Sequence, residues 1–142
     1  MNSQTQIQNL IENYRQAVMA KDIEKVMALY ADDIVSFDAV KALQFKGKPA
    51  YRAHWQACME MCPGPHIFEF HEITIEPSQE IAFAHWLAHC GGTNDKGETQ
   101  SCWMRVTACY RQEDGLWQIV HEHWSAPFDM TGFIQSATVD DP

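Results

Sequence analysis

The side chains whose types most clearly could take part in catalysis or binding lie in the run 117–125, Trp-Gln-Ile-Val-His-Glu-His-Trp-Ser. Its aromatic and β-branched residues predict a strand. Because strand side chains alternate, His121 and His123 share one face, while Glu122 and Trp124 share the other. Polar groups therefore occur on both faces, which predicts a lined cavity or a packed interface rather than open solvent.

Histidines at alternate strand positions can both reach one metal ion. A third ligand would have to be His85, His89 or Glu122, and no His-Glu-x-x-His spacing is present. We therefore expect His121 and His123 to form hydrogen bonds at a sheet or dimer interface. We predict no metal site and no cofactor.

Arg105 lies in the middle of another predicted strand, next to bulky apolar residues. A buried arginine requires a counter-charge, which Asp38, Glu122 or a carboxylate ligand would supply. The alternative is an internal Arg–Glu pair that only joins strands. We predict a pocket arginine, with Thr107 on the same side of the strand.

Asp38 directly follows a short predicted strand that ends at Phe37. If Phe37, Trp55 and Tyr14 exclude water around it, this carboxylate can act as a general base. The alternative is a solvated aspartate at the end of a strand.

The overall composition is that of one ordinary globular domain, with 142 residues, of which 46% are hydrophobic. A net charge of −9 disfavours nucleic acids and anionic membranes as partners. No apolar run approaches membrane-spanning length, and the first residues lack signal-peptide features. The five cysteines form no zinc-type pair and are expected to be reduced thiols in a cytoplasmic protein.

The order of elements predicts helices first and strands afterwards. Helical periodicity indicates helices over 3–20 (opened by a Ser3 capping box), over 22–30, and from Gly47 to Pro63. Period-two patterns and turns indicate strands over 34–37, 66–76, 80–91, 101–111 and 117–125, with irregular alternation, and therefore a bulge, near Glu72. The segment 39–46 is ambiguous, and 128–142 is a less regular tail.

We therefore predict a single α+β domain over 1–142, a cone-shaped roll. Three N-terminal helices pack on a curved, mostly antiparallel sheet of four to six strands. Long strands twist, so helices that close such a sheet leave a conical hollow, where a small molecule would bind.

Two sets of residues resemble the NTF2-like superfamily, which has a cystatin-like fold and includes the ketosteroid isomerases and the SnoaL-like polyketide cyclases. The first set comprises Tyr14-x-x-Ala17, Asp22, Ala28-Leu-Tyr-Ala-Asp-Asp33, Phe37-Asp38 and Gly47 before a helix. The second is Asp114-Gly-x-Trp-x-Ile-Val-His-x-His-x-Ser-Ala-Pro127, which resembles SnoaL-like members in particular. The resemblance covers nearly the whole chain. It is specific for the fold and weak for the reaction, because this scaffold hosts many unrelated activities.

The resemblance to ketosteroid isomerase implies roles for particular residues. Tyr14 matches its oxyanion-binding tyrosine and Asp38 its general base, whereas Thr107 falls near the position of its protonated aspartate. His54 and Trp55 fall at positions that line the cavity. The comparison places Val120, Glu122 and Trp124 inside and the histidines outside, although one bulge would reverse the faces.

Three functions remain open from the sequence. The first is a cofactor-independent isomerase or cyclase that uses acid/base chemistry on a small apolar carbonyl compound, with Trp55 and Trp124 shaping the pocket. The second is a non-catalytic module that captures a small acid through Arg105 and His54. The third is a dimerisation domain. In each case apolar residues on both sheet faces favour a homodimer.

Overall fold

The computed structural model describes residues 2–64, 66–127 and 130–131. Three helices precede most of the sheet: α1 (Ser3–Met19), α2 (Ile23–Ala28) and α3 (Lys48–Met61). The strands are β1 (Tyr30–Phe37), β2 (Phe45–Lys46), β3 (His66–Pro77), β4 (Ile81–Thr93), β5 (Thr99–Glu113) and β6 (Leu116–Ser125). The predicted α+β architecture is confirmed.

The strands form one sheet in the order β2-β1-β6-β5-β4-β3. Only β1 and β6 pair in parallel; all other neighbours among the described strands are antiparallel. The β1–β6 pairing places Ser36 beside Glu122 and Phe37 beside His123. The end of β1, where Asp38 follows, is thereby fixed next to the polar centre of β6.

The helices form where the predicted periodicity places them, with two corrections at their ends. Asn2, not Ser3, caps α1, since its Oδ1 accepts a hydrogen bond from the Thr5 amide at 2.8 Å. Tyr30 was predicted within the second helix, but α2 ends at Ala28 and Tyr30 opens β1, paired with Ile119. The apolar stripe of α1 is buried, and its members are Ile7, Leu10, Ile11, Tyr14 and Val18.

Two bulges bend the sheet. The predicted bulge in β3 is confirmed by a register shift between His71 and Thr74, with Glu72 at φ 56°. The second lies in β6, where Tyr110 pairs with Ile119 but Cys109 pairs with His121. Val120 is therefore an extra, half-buried residue.

The β6 bulge decides which side chains of this strand point inward. Without it, Ile119 and Glu122 would lie on opposite faces, because side chains alternate along a strand and these two positions differ by three, an odd number. With it, both are buried, together with Trp117 and Trp124. The inward position of Glu122 and Trp124 agrees with the one that the ketosteroid isomerase comparison gave.

The predicted tail over 128–142 lies outside the described residues, apart from 130–131. None of the helices among the described residues combines the length and the apolar character that a membrane span requires. All five cysteines are unpaired.

Candidate functional site

A carboxyl group stands at the centre of the helix-covered face of the sheet. Glu122 is fully buried, and its Oε1 accepts hydrogen bonds from the Tyr30 hydroxyl at 2.8 Å, the Trp124 Nε1 at 3.0 Å and the Tyr51 hydroxyl at 3.2 Å. Its Oε2 is equally buried but has no hydrogen-bond partner among the described residues. One oxygen is therefore saturated, and the other is buried without a partner among the described residues.

Burial raises the pKa of Glu122 to about 7. The hydrogen bonds from Trp124, Tyr30 and Tyr51 act in the opposite direction, because they stabilise the carboxylate. The nearby charge of Asp38 adds to the increase. Glu122 can therefore gain or lose a proton near neutral pH, as a general acid or base must.

Three buried tyrosines from three elements surround this carboxyl: Tyr14 from α1, Tyr30 from β1 and Tyr51 from α3. The hydroxyl oxygens of Tyr14 and Tyr30 lie 3.2 Å apart. Burial and the charge of Glu122 raise the pKa of all three phenols well above its ordinary value. They are therefore neutral hydrogen-bond donors at physiological pH.

Asp38 and His54 form a second polar group, nearer to solvent. Asp38 Oδ1 accepts from the Val40 amide at 3.0 Å, and its Oδ2 lies 3.1 Å from the Tyr51 hydroxyl and 3.5 Å from His54 Nε2. Burial alone would lower the pKa of His54, but the contacts with Asp38 and Cys58 outweigh it and raise that pKa to about 9. His54 and Asp38 therefore form an ion pair at neutral pH.

Two indole side chains, one half-buried and one buried, have a buried N–H without a partner. Trp55 packs edge-to-face on Tyr14 with ring centroids 6.1 Å apart, and its Nε1 has no acceptor among the described residues. The same holds for Nε1 of Trp86, which packs against Phe70 at 4.9 Å. Two buried N–H groups without acceptors favour a ligand that carries an oxygen, because leaving such donors unpaired is costly.

The prediction that Arg105 and Thr107 project into the pocket is wrong. Inward positions on β5 are Val106, Ala108 and Tyr110, so the alternation places Arg105 and Thr107 on the outer face, where both are exposed. The Arg105 Nε donates to the Ser125 hydroxyl at 3.2 Å. Its counter-charge is neither Asp38 nor Glu122.

His121 and His123 also lie on the outer side of β6. The Nδ1 of His121 donates to the Val35 carbonyl at 2.6 Å, and the rings of both histidines contact Phe37 edge-to-face. The interior therefore gathers six of the predicted site residues, which are Tyr14, Asp38, His54, Trp55, Glu122 and Trp124. Within the described ranges, no group of three histidine, cysteine or acidic side chains could hold a metal ion.

Sequence reasoning missed the functional positions of Tyr30, Tyr51 and Trp86. Tyr30 and Tyr51 lay within the second and third predicted helices without any assigned role, and they reach Glu122 across 92 and 71 residues of chain. A signal was available in the type of residue, because a buried tyrosine usually needs a partner for its hydroxyl. The spacing gave no indication of which partner.

Comparisons with known proteins identify the family to which this fold belongs. The family model of the SnoaL-like domain matches residues 7–129. An NTF2-like protein of unknown function from Pseudomonas putida KT2440 has a solved structure that is 52% identical, with a TM-score of 0.82, and the match covers 90% of this chain and 89% of that one. No curated protein matches the chain.

More distant solved structures share the fold. An NTF2-like superfamily protein from Salmonella enterica serovar Typhimurium LT2 is 17% identical with a TM-score of 0.78, covering 89% of this chain and 92% of that one. The association domain of CaMKII from C. elegans is 16% identical with a TM-score of 0.69, covering 87% and 95%. The chain belongs to the SnoaL-like domain family, within the NTF2-like superfamily.

Proposed function

We propose that the protein binds a small, uncharged and largely apolar carbonyl compound beside Glu122 and catalyses proton transfer on it, as a cofactor-independent isomerase or cyclase does. The observation that carries this proposal is the fully buried carboxyl of Glu122, which has one saturated oxygen and one without a partner. A carboxyl whose pKa is about 7 exchanges protons at neutral pH.

The proposed division of roles uses both carboxyl groups. Asp38, in contact with His54 and Tyr51, takes a proton from the carbon next to the ligand's carbonyl group. Tyr14 donates a hydrogen bond to the ligand oxygen on which negative charge develops. Tyr30 does not fill this role, because its hydroxyl already donates a hydrogen bond to Glu122. Glu122, through Oε2, gives a proton to the ligand or takes one from it, and Trp55 and Trp124 hold the ligand's apolar part.

The chemistry of the interior argues for an uncharged ligand. The buried polar or charged residues of the described chain are Ser36, His54 and Glu122, and the positive charge of His54 is already paired with Asp38. Arg105, which would bind a small acid, lies on the other side of the sheet. Among the described residues of the interior, a carboxylate ligand would meet two carboxyl groups and no unpaired cation, which is electrostatically unfavourable.

An experiment that does not require knowledge of the substrate tests both binding and chemistry. Small ketones and matched carboxylic acids are screened by thermal shift, and the compounds that bind are incubated with the protein in D₂O. Exchange of the protons next to the carbonyl group is then followed by NMR. We expect the ketones to raise Tm and the acids not to. Exchange should be catalysed by the wild type and lost in Asp38→Asn and in Glu122→Gln.

Matched controls are Asp32→Asn, whose side chain is fully exposed, and Glu76→Gln on the exposed side of β3. Both should bind and exchange as the wild type does. Binding of acids instead of ketones would contradict the proposed ligand class. Binding without exchange would instead support the alternative of a non-catalytic ligand-binding module.

The outer face of the sheet favours a homodimer as part of the same proposal. Large apolar side chains are exposed there, and four of them are named the outer patch: Phe37, Phe83, Leu87 and Trp103. An exposed apolar face on a sheet is the usual mark of a protein interface. The cytoplasmic location expected from the sequence is proposed here as well, since five unpaired cysteines suit a reducing compartment.

A further inference from the structure

The hydroxyl group of Tyr51 lies between the two carboxyl groups of the site. Its oxygen is 3.1 Å from Asp38 Oδ2 and 3.2 Å from Glu122 Oε1. Tyr51 itself is fully buried, on α3. A phenol has one proton, so this hydroxyl donates to only one of the two carboxyl groups at a time.

Both positions of that proton are compatible with the surroundings. When Tyr51 donates to Asp38, Glu122 Oε1 still accepts from Tyr30 and Trp124. When Tyr51 donates to Glu122, Asp38 still accepts from the Val40 amide and contacts His54. The two arrangements therefore differ mainly in which carboxyl group receives one hydrogen bond.

We propose that Tyr51 is a positioning residue which links the protonation of Glu122 to the Asp38–His54 pair, by turning its hydrogen from Glu122 to Asp38 when Glu122 takes up a proton. No covalent bond changes in this step, since the O–H bond of Tyr51 rotates and its proton stays on the phenol. The inference rests on the proposed function, in which a proton moves between a ligand and these carboxyl groups.

The groups that face Glu122 leave few competitors for this role. They are Tyr14 from α1, Tyr30 from β1, Tyr51 from α3, Tyr110 from β5, Trp124 on β6 itself, and Asp38 beyond β1. Burial raises the pKa of the four phenols well above its ordinary value, so they stay neutral. Among these groups of the described chain, only Asp38 brings a second carboxyl group, and Tyr51 is the residue that contacts both.

The proposed coupling joins a carboxyl group that is closed off from water to one that water can reach. Glu122 is fully buried, whereas the side chain of Asp38 is 12% exposed and touches His54. A proton taken up by Glu122 would therefore change the hydrogen bonding of a pair that water can reach. The proton itself stays on Glu122, because the Tyr51 hydroxyl passes on a change of hydrogen bonding and not a proton.

A double-mutant cycle on the ligand-free protein tests this inference. The indole N–H resonance of Trp124 reports the protonation of Glu122, because Trp124 Nε1 donates directly to Oε1. Its pH titration is measured in wild type, Asp38→Asn, Tyr51→Phe and the double variant. We expect Asp38→Asn to lower the midpoint by about one pH unit when Tyr51 is present, a tenfold change in proton binding. The shift should fall to less than half of that in the Tyr51→Phe background, where only the charge of Asp38 acts.

Tyr110→Phe is the matched control, since Tyr110 is equally buried and faces Glu122 but is not among the donors to Glu122 Oε1. It should leave the Asp38→Asn shift unchanged. Incorporation of 3-fluorotyrosine at position 51 gives a second test if Tyr51→Phe does not fold, because a more acidic phenol is a stronger donor and should enlarge the shift. An Asp38→Asn shift that is the same with and without the Tyr51 hydroxyl would overturn the inference.

The outcomes separate this inference from the proposed function. Coupling in the titrations without any ligand exchange would contradict the proposed enzyme and leave the role of Tyr51 intact. Exchange that needs both carboxyl groups, without coupling through Tyr51, would overturn the inference alone.

Discussion

Asp38 and His54 lie in contact at the border of the interior, with Oδ2 and Nε2 3.5 Å apart and the two side chains 12% and 5% exposed. Burial opposes a charge on His54, but the contacts with Asp38 and Cys58 raise its pKa to about 9. An ordinary histidine titrates near 6.5. The pair therefore keeps a charged histidine beside the site throughout the neutral range.

Asp38→Asn should lower the midpoint of the His54 titration by at least about one pH unit, because the strongest contact that favours the charged ring is lost. The midpoint is read from the ring resonances of His54 in NMR spectra recorded between pH 5 and pH 10. Asp32→Asn, on the surface, should not change it. A midpoint that is the same in Asp38→Asn as in the wild type would show that the pair does not exist in solution.

The same pair contributes to stability in a defined pH range. The folded-state pKa of His54 lies above the unfolded one, so the contribution is complete below about pH 6.5 and is lost as the pH rises through about 9. The free energy of unfolding of the wild type should therefore decrease over this range relative to Asp38→Asn. Urea denaturation at pH 6 and pH 9.5 measures the difference.

Glu122 should affect stability at lower pH. Burial raises its pKa from 4.5 to about 7, so the folded state prefers the protonated form, and the contribution is present below about pH 4.5 and lost as the pH rises to 7. Relative to Glu122→Gln, the wild type should lose on the order of 2–3 kcal/mol between pH 4.5 and pH 8. Glu76→Gln should follow the wild type at both values. A constant difference between wild type and Glu122→Gln would contradict the raised pKa.

Trp117 and Trp124 provide a matched pair on β6, since both are 6% exposed and both donate through Nε1. Trp124 donates to Glu122, whereas Trp117 donates to the side-chain amide of Gln6 at 2.9 Å. Trp→Phe at either position loses packing and one hydrogen bond. For Trp124→Phe, the loss in free energy of unfolding should grow by about 1 kcal/mol between pH 5 and pH 8. Glu122 ionises over this range, and hydrogen bonds to a charged acceptor are stronger.

Comparing the two pH values cancels the loss of packing, which does not depend on pH. Trp117→Phe should cost the same at both, as judged by the free energy of unfolding. An equal pH dependence of the two variants would mean that the Trp124 indole does not stabilise the ionised Glu122.

The fold could be predicted because its determinants are local. The buried stripe of α1, the Asp22 cap of α2 and the bulge at Glu72 are all visible within a few neighbouring residues. The family resemblance then supplied the arrangement of these elements. Only the ends of elements, such as the start of β1 at Tyr30, were misplaced, because hydrophobic periodicity does not define where a helix stops.

The site was predicted only in part, and Arg105 shows why. Trp103 and Cys109 lie on its own side of β5, so apolar residues occur on both faces and alternation alone could not identify the inner one. Which residues of β6 point inward depends on the bulge at Val120, and no residue type in this strand predicts a bulge there. The grouping of Tyr30, Tyr51 and Glu122 depends on contacts between distant parts of the chain, which a single sequence does not reveal.

The outer patch of Phe37, Phe83, Leu87 and Trp103 makes a prediction about assembly. A dimer that uses this face would bury roughly 800 Å² per partner, as stable interfaces of standard size do. Leu87→Asp places a charge in the centre of the patch and should shift the protein from dimer to monomer. Sedimentation velocity at micromolar concentration measures the change, and circular dichroism checks the fold.

Met61→Asp is the control for that experiment, because Met61 is an exposed apolar residue at the end of α3 and lies away from the sheet face. It should sediment as the wild type does. A wild type that is monomeric, or a Leu87→Asp variant that remains dimeric, would show that this face is not the dimer interface.

Arg105→Ala, on the same outer face as Leu87, should leave the thermal shift produced by ketones unchanged, since its side chain does not reach the interior.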